Sequence, residues 1–337
     1  MQFSSQISLQ GFNTLGVQAK AKKFIQIKNE NELQPLCEYL NLSDSPHLII
    51  GGGSNLLLTK DFDGLVIINQ IKGIKLIDVS PNHYLIEANS GEIWHDFVIY
   101  CLDKGYNGLE NLSLIPGTVG ASPIQNIGAY GAEAKDFIDS VKYLHLPTGK
   151  IITITNQECQ FSYRDSIFKK HLSGQYFILS VQFKLQKQYA LNTHYGAIQD
   201  ALQKQGVIAP SAKAISEAVC GIRSNKLPDP KVIGNAGSFF KNPVVSKEQF
   251  ELLLQNFPNM VAYPDKNGKK LAAGWLIEQT GWKGKSIGNV KVHQEQALVI
   301  TNLGSATGLE ILNFSQKIIE DVQAKFGVHL DREVVVV

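Results

Sequence analysis

Apolar and polar residues alternate with two different periods along the first two thirds of the chain. Short apolar runs, and segments with an apolar residue at every second position, predict strands at 23–28, 47–50, 65–69, 83–89, 140–146, 150–155 and 175–186. Apolar residues at helical spacing between polar caps predict helices at 29–40, 92–105, 195–205 and 211–226. Helices and strands mixed in this order indicate an α+β protein.

The last third of the chain begins with a segment, 227–243, that is rich in glycine, proline and asparagine and predicts a domain boundary. After it, the pattern predicts helices at 246–256, 270–280 and 307–326 and a strand at 297–301. Thr307 and Glu310 have the spacing of a capping box, and Gly327 is expected to end the last helix. The terminal valine run requires a partner strand, because an exposed β-rich run promotes aggregation.

The composition is typical of a globular protein, since 44% of the 337 residues are hydrophobic and 18% are charged. The formal net charge of +2 gives no general attraction to nucleic acid or anionic membranes. The segment MQFSSQISLQ lacks the basic and apolar regions of a secretory signal, and no apolar run is long enough to span a membrane. We therefore expect a cytoplasmic protein. The four cysteines lie far apart without a CxxC pair, which agrees with a reducing compartment: Cys37, Cys101, Cys159 and Cys220.

Two glycine-rich segments indicate a cofactor site. Gly51-Gly52-Gly53-Ser54-Asn55 directly follows a predicted strand, and 115–131 lies in a long loop whose apolar residues favour an ordered, functional segment over a mobile linker. Glycines let main-chain N–H groups approach a diphosphate. The alternative interpretation of the first segment is a simple glycine-rich turn that binds no phosphate. Together the two segments could hold the two ends of a dinucleotide. The Rossmann fingerprint is absent, because Leu56 stands where its third glycine is required.

Other common catalytic motifs are absent from the sequence. Gly284-Lys285-Ser286 resembles the end of a P-loop, but Gln279 stands where the motif needs its first glycine. No pair of histidines has the H-x-x-x-H spacing, so we expect no metal site. There is no G-x-S-x-G elbow for acyl transfer. The residues themselves thus indicate a cofactor-dependent enzyme without a Rossmann fold.

Nine motifs, taken in order, closely resemble the bacterial UDP-N-acetylenolpyruvoylglucosamine reductases (UDP-N-acetylmuramate dehydrogenases) of peptidoglycan synthesis. The segment THYGAI at 193–198 resembles the type I subclass, in which a tyrosine closes over the ligand. The resemblance covers nearly the whole chain. The motifs are IIGGGSNLL (49–57), IPGTVGASPIQNIGAYG (115–131), SYRDS (162–166), THYGAI (193–198), SNKLPDP (224–230), GNAGSFFKNP (234–243), AAGWLIEQTG (272–281), VHQEQALVI (292–300) and LDREV (330–334).

The resemblance implies an α+β protein with the vanillyl-alcohol-oxidase/PCMH-type FAD-binding fold and an additional α+β substrate-binding domain. It implies a first FAD-binding subdomain at 1–70, joined by a C-terminal strand at 331–337. A second FAD-binding subdomain is expected at 71–210, and the UDP-sugar-binding domain at 211–330. We expect the FAD to be non-covalent, because the loop 115–131 contains no histidine or cysteine.

The implied activity is that of an oxidoreductase in cell wall biosynthesis, and hence in cell shape and cell division. NADPH reduces the flavin, and the enolpyruvyl ether of UDP-N-acetylenolpyruvoylglucosamine is then reduced to UDP-N-acetylmuramate. The expected partners are these two small molecules, with no nucleic acid, membrane or obligate protein partner. The closest alternative is an FAD-dependent oxidase of the same fold class, which would consume oxygen without NADPH. A non-catalytic UDP-sugar-binding module is a further alternative.

By resemblance, three residues carry the chemistry. Ser238 in GNAGSFF is expected to donate the proton, and Arg164 in SYRDS is expected to bind the substrate carboxylate as charge develops there. For Glu333 in LDREV we expect a protonated carboxyl, or a proton shared with the substrate carboxylate. Lys226 is a candidate to stabilise the alkoxide of Ser238. Without the resemblance, Arg164 would be read as a surface ion pair with Asp165.

The resemblance also implies residues for both ligands. The FAD-binding residues are expected to be Gly51, Gly52, Gly53, Ser54, Asn55, Pro116, Gly117, Gly120, Ala121, Ser122, Gln125, Asn126, Gly128, Ala129 and Tyr130. The residues expected to bind the UDP-sugar are Tyr195, Lys226, Asn242, Lys283 and Gln296.

Overall fold

Two structural units, each assembled from several segments, make up the chain. The structure, a computed structural model, describes residues 1–43 and 45–337. The first unit contains Met1–Ile7, Ala21–Gly52 and Asp63–Asn225. The second unit contains Ser8–Lys20, Gly53–Phe62 and Lys226–Val337. The expected division into three domains, with boundaries after residues 70 and 210, stays a prediction.

The helices agree with the sequence pattern to within a few residues at each end. They are α1 (Leu33–Leu42), α2 (Trp94–Asp103), α3 (Gly196–Lys204), α4 (Ala212–Lys226), α5 (Lys247–Asn256), α6 (Ala273–Gln279) and α7 (Gly308–Phe326). The capping box of α7 is confirmed, because the Thr307 hydroxyl accepts the Glu310 N–H at 3.2 Å while the Glu310 carboxylate accepts the Thr307 N–H at 2.7 Å. Gly327 ends the helix in the left-handed conformation. No helix among the described residues combines the length and apolar character that a membrane crossing requires.

The strands predicted in the first two thirds of the chain are confirmed, and several short strands appear that the pattern did not indicate. The strands are β1 (Ser4–Ser8), β2 (Lys20–Ile27), β3 (His47–Ile50), β4 (Leu56–Leu57), β5 (Phe62–Asn69), β6 (Ile74–Val79), β7 (His83–Asn89), β8 (Gly128–Ala129), β9 (Ala132–Glu133), β10 (Ile138–His145), β11 (Lys150–Thr155), β12 (Tyr176–Gln186), β13 (Gly234–Ser238), β14 (Val244–Val245), β15 (Ala262–Asp265), β16 (Gly268–Leu271), β17 (Ser286–Ile287), β18 (Val290–Val292), β19 (Val299–Asn302) and β20 (Val335–Val336).

The first unit is built around two sheets. One has the strand order β1–β2–β5–β3, in which β3 and β5 are parallel, and the other is an antiparallel sheet with the order β11–β10–β12–β7–β6. Helix α2 packs on the second sheet, because Trp94 and Phe97 contact Phe183 of β12 with ring centroids 5.8 and 4.8 Å apart. This packing fixes the first turn of α2, from which His95 projects.

The second unit combines an antiparallel sheet, β13–β19–β18–β17, with a smaller one, β14–β16–β15. The apolar face of α7 is buried in the core of this unit, with Ile311 and Ile318 fully buried. The terminal valines find the partner they require, because β20 pairs in parallel with β4, Val335 opposite Leu56. This pairing draws the chain around Glu333 toward the segment that follows the first glycine run.

The segment 227–243 contains the strand β13, which its amino-acid composition did not predict. Glycine and asparagine are depleted in strands, and β13 has the sequence GNAGS. Its antiparallel pairing with β19 compensates for this low strand propensity. In that pairing, Ser238 lies opposite Val299. Ser238 is therefore the last residue of a strand within a sheet.

Candidate active site

The two glycine-rich segments of the sequence touch each other in the first unit. Gly51 and Gly52 lie against Gly117 and Thr118, and a Cβ on Gly52 would stand only 2.9 Å from the Gly117 Cα. A Cβ on Gly51 would meet the Thr118 hydroxyl. Because the main chains of the two segments are in contact here, Gly51, Gly52, Gly117 and Thr118 form one continuous surface, which we call the glycine surface.

Main-chain donors at the first glycine run have no acceptor among the residues that the structure describes. The N–H groups of Gly52, Gly53 and Ser54 donate no hydrogen bond to any of them. Gly53 has a φ of 61° and is in close contact with the Phe12 carbonyl, so a side chain would not fit there. Consecutive free N–H groups in a glycine turn are donors of the kind that bind phosphate oxygens. The run therefore fits the diphosphate of FAD.

The end of the second glycine-rich segment is rigidly held. Asn126 is fully buried with a φ of 45°. Its side-chain oxygen accepts the Lys135 N–H at 3.0 Å, and its amide nitrogen donates to the Ser162 carbonyl and to the Glu133 carboxylate, both at 3.0 Å. These bonds make the segment an ordered loop, as its apolar residues predict.

Arg164 is bound to this loop. It has a left-handed φ of 55°, and its guanidinium donates to the Gly128 carbonyl at 2.7 Å and to the Asn126 carbonyl at 3.4 Å. Asp165, the partner that Arg164 would have as a surface ion pair, forms an ion pair with Lys170. The two carbonyls orient the guanidinium without neutralising its charge. A planar cation oriented in this way suits a carboxylate.

Tyr195 contacts a tyrosine of the glycine-rich loop. Its ring meets the ring of Tyr130 edge-on, with centroids 5.3 Å apart and planes at 84°. Tyr195 is 45% exposed and is therefore not a core residue. Burial raises the pKa of the Tyr130 hydroxyl, and the nearby Arg223 guanidinium opposes that shift. Tyr130 thus supports the ring of Tyr195, whose side chain is partly exposed.

Arg223 is a residue of this neighbourhood that the sequence analysis missed. Its Nε donates to the Leu114 carbonyl at 3.1 Å. Burial lowers the pKa of Arg223, interaction with Tyr130 opposes this shift, and the positive charge of Arg164 adds to it. Its position in α4 could have indicated this role, because Arg223 follows Ile215 and Val219 at a spacing of four residues, and both of those residues are buried.

In the second unit the main chains of the other two expected catalytic residues are neighbours. The Glu333 N–H donates to the carbonyl of Phe239, the residue after Ser238, at 2.9 Å. The Asn55 side chain donates to the Glu333 carbonyl at 3.2 Å. Both Ser238 and Glu333 are half-buried. A serine hydroxyl and a carboxyl group thus lie on adjacent main-chain segments, next to the last residue of the glycine run.

The residues expected to bind the UDP-sugar are divided between the units. Tyr195 belongs to the first, and the other four belong to the second. Asn242 accepts the Ala273 N–H at 2.9 Å at the start of α6, and a Cβ on Gly274 would lie 3.5 Å from the Gln296 amide oxygen. Asn242 and Gln296 therefore converge on the beginning of α6.

The two lysines of this set are not found at that point. Lys283 forms an ion pair with Glu278 at 2.9 Å, near the end of α6. Lys226 is exposed at the last residue of α4. Solvent-exposed pairs such as that of Lys283 contribute little stability.

Comparison with known proteins gives concordant matches over both ends of the chain. Residues 229–337 match the family model described as UDP-N-acetylenolpyruvoylglucosamine reductase, C-terminal domain, and residues 21–155 match the model of an FAD binding domain. A UDP-N-acetylenolpyruvoylglucosamine reductase of Flavobacterium johnsoniae is 46% identical, with 100% of each chain covered. That of Pseudomonas syringae pv. syringae is 46% identical over 99% of this chain and 98% of its own.

A solved structure extends the comparison to the fold. The UDP-N-acetylenolpyruvylglucosamine reductase of Thermus caldophilus covers 100% of this chain and 99% of its own, with a TM-score of 0.69 and 23% identity. Together with the matched FAD binding domain, it confirms the expected FAD-binding fold of mixed α+β type.

Proposed function

The chain belongs to the family of UDP-N-acetylenolpyruvoylglucosamine reductases, and we propose that Arg164, Ser238 and Glu333 perform the family's reaction in it. The reaction reduces the enolpyruvyl ether of a UDP-sugar to the lactyl ether of UDP-N-acetylmuramate, a precursor of peptidoglycan. The observation that carries the proposal is the contact of Glu333 with Phe239, which brings a carboxyl group beside the Ser238 segment.

FAD is the cofactor, and the glycine surface formed by Gly51, Gly52, Gly117 and Thr118 is the proposed place of its binding. When bound, FAD supplies the hydride that reduces the enolpyruvyl double bond, with NADPH as the proposed reductant. The donors of Gly52, Gly53 and Ser54 fit its diphosphate, because they have no acceptor among the described residues. The ordered loop around Asn126 would keep solvent away from the reacting group.

Arg164 is proposed to bind the substrate carboxylate. Addition of a hydride to the methylene carbon places negative charge on the neighbouring carbon, and that charge spreads into the carboxylate. A guanidinium oriented beforehand by the Asn126 and Gly128 carbonyls stabilises this charge without having to reorganise. The left-handed conformation of Arg164 is a local cost that the same two bonds offset.

Ser238 is proposed to donate the proton that completes the reduction. Serine is a weak acid, but a carbanion-like carbon is a strong base, so the transfer is favourable once the hydride has been added. Glu333 is proposed to share a proton with the substrate carboxylate, and its main-chain bond to Phe239 holds it near Ser238. Lys226 is the proposed source of positive charge for the alkoxide that remains.

The nucleotide end of the substrate is proposed to bind Tyr195, Lys226, Asn242, Lys283 and Gln296. Asn242 and Gln296 present amide groups at the start of α6. Lys283 would exchange Glu278 for the diphosphate, which as a whole bears a greater negative charge than one carboxylate.

We also propose a cytoplasmic location and roles in cell shape and cell division as consequences of cell wall synthesis. All four cysteines are free thiols, which agrees with a reducing compartment.

The direct experiment incubates the purified protein with NADPH and UDP-N-acetylenolpyruvoylglucosamine and measures the lactyl product by mass spectrometry. Formation of UDP-N-acetylmuramate with one NADPH consumed for each product supports the proposal. Oxygen consumption without NADPH, and without this product, would support the oxidase instead.

A further inference from the structure

Leu114 stands in a strained conformation immediately before the glycine surface. Its φ is 57°, in the left-handed region that leucine rarely adopts. Pro116 and Gly117 follow two and three residues later, and Gly117 is in contact with Gly52. A residue keeps such a conformation only where its surroundings impose it. The groups that hold Leu114 therefore decide where Pro116 and Gly117 lie.

Two helices hold the Leu114 main chain by its two polar groups. The Leu114 N–H donates to Nδ1 of His95, in the first turn of α2, at 3.0 Å. The Leu114 carbonyl accepts from Nε of Arg223, in α4, at 3.1 Å. The hydroxyl groups of Ser113 and Ser216 share a further hydrogen bond at 2.7 Å, which joins α4 to the preceding residue of the same segment.

The hydrogen bond from the Leu114 N–H determines the protonation state and the tautomer of His95. An N–H group can donate only to an unprotonated ring nitrogen, so His95 is neutral and carries its proton on Nε2. Nε2 lies 4.0 Å from the Cys220 thiol of α4. Burial lowers the pKa of His95, the neighbouring Asp96 carboxylate opposes this shift, and the Arg223 guanidinium adds to it. Burial thus outweighs the Asp96 carboxylate and favours the neutral form that the bond requires.

We propose that His95 is a positioning residue for the flavin site: its Nδ1 holds the strained Leu114, and through it Pro116 and Gly117, in the conformation that binds FAD. The inference rests on the proposed assignment of Pro116 and Gly117 to the flavin. His95 itself is not proposed to touch FAD or the substrate. Its effect passes through the Leu114 N–H alone, so a side chain that offers an acceptor at the same place should replace it.

Three variants separate this bond from simple packing. In His95→Asn the amide oxygen occupies nearly the place of Nδ1 and can accept the Leu114 N–H. In His95→Gln the oxygen lies nearer the place of Nε2, and in His95→Ala no acceptor is left. The matched control is His145→Ala, because Nδ1 of His145 bonds the Thr148 hydroxyl of an exposed turn.

Two readouts are taken for each variant: the FAD dissociation constant, from titration of the apoprotein, and hydrogen exchange of the peptide that spans 112–118 in the apoprotein. We expect His95→Gln and His95→Ala to bind FAD about tenfold more weakly and to exchange faster, as for one lost hydrogen bond. His95→Asn and the control should stay within about threefold of the wild type. Melting temperatures verify that each variant is folded.

The two readouts distinguish failure of this inference from failure of the proposed function. If exchange at 112–118 is unchanged in His95→Ala, or if His95→Asn is as impaired as His95→Gln, then His95 does not act through this bond and the inference is wrong. If exchange rises as expected while FAD affinity stays constant, the segment does not bind the flavin, and the assignment of Pro116 and Gly117 is wrong.

A pH series on the wild type gives a test that requires no destabilising variant. The ordinary pKa of histidine is 6.5, and the shift is downward, so FAD affinity should be constant above pH 6.5 and fall only as the pH drops below it. His95→Asn has no group to protonate and should lack that fall in the same range. Equal pH profiles for the two proteins would overturn the inference.

Discussion

The Tyr189 hydroxyl donates a hydrogen bond of 2.6 Å to the carboxylate of Glu110, a residue that is only 1% exposed. The second oxygen of that carboxylate accepts the Gly108 N–H at 2.8 Å. A buried carboxylate is stable only when such donors satisfy it. This pair therefore fastens the segment around Tyr189 to the turn that contains Glu110.

The next residue of the turn extends the attachment toward the candidate site. The Asn111 amide nitrogen donates to the carbonyl of Tyr130 at 3.0 Å and to that of Asn192 at 2.9 Å. Tyr130 belongs to the glycine-rich loop, and Asn192 lies three residues before Tyr195. One short turn thus connects the glycine-rich loop to the segment that contains Tyr195.

Tyr189→Phe should lower the free energy of unfolding by about 1.5–3 kcal/mol, the usual cost of losing a hydrogen bond to a charged group. The loss arises because the Glu110 carboxylate remains buried with one donor fewer. Urea denaturation measures it, with Tyr263→Phe as the control, since Tyr263 is 41% exposed. Equal stability of the two variants would show that the Tyr189 hydroxyl does not stabilise the fold.

Gly52→Ala should abolish FAD retention, or weaken FAD binding at least about tenfold, because a Cβ of this residue would stand 2.9 Å from the Gly117 Cα. Main-chain atoms on both sides cannot move apart without opening the glycine surface. The ratio of flavin to protein absorbance measures retention. Gly221→Ala, which meets open space inside α4, should retain FAD and gain about 0.5–1 kcal/mol of stability. Wild-type affinity in Gly52→Ala would contradict the proposed site.

Tyr195→Phe should weaken substrate binding about ten- to a hundredfold, the loss of one hydroxyl–phosphate hydrogen bond. The phenylalanine ring preserves the edge-on contact with Tyr130, so the variant isolates the hydroxyl. Titration of the oxidised protein with substrate gives the affinity, and the rate of flavin reduction by NADPH should be unchanged. Unaltered substrate affinity would make Tyr195 a structural residue.

Local sequence patterns predicted those features of the fold that depend on local interactions. The capping box of Thr307 and Glu310 needs only residues three apart, and Gly327 ends α7 because glycine tolerates the left-handed conformation. By contrast, β13 could not be predicted from GNAGS, because its stability comes from β19, about sixty residues further along the chain.

In the candidate site, too, contacts between distant segments could not be predicted from the sequence. The sequence indicated both glycine-rich segments, but the contact of Gly52 with Gly117 depends on how distant segments fold together. Arg223 escaped notice because an arginine in an amphipathic helix is normally assigned to the solvent face. The ion pair of Lys283 with Glu278 joins residues five apart, which is outside the usual spacing of helical pairs.

The proposed reaction depends on proton donation by Ser238, and stopped-flow spectroscopy of the flavin absorbance in Ser238→Ala tests this role. Reduction by NADPH should proceed at close to the wild-type rate, because that step needs no proton from Ser238. Reoxidation by the enolpyruvyl substrate should slow about 10²–10⁴-fold, as for a lost general acid, and Ser238→Cys should recover part of the rate. Equal loss of both steps would make Ser238 a structural residue, and loss of neither would contradict the claim.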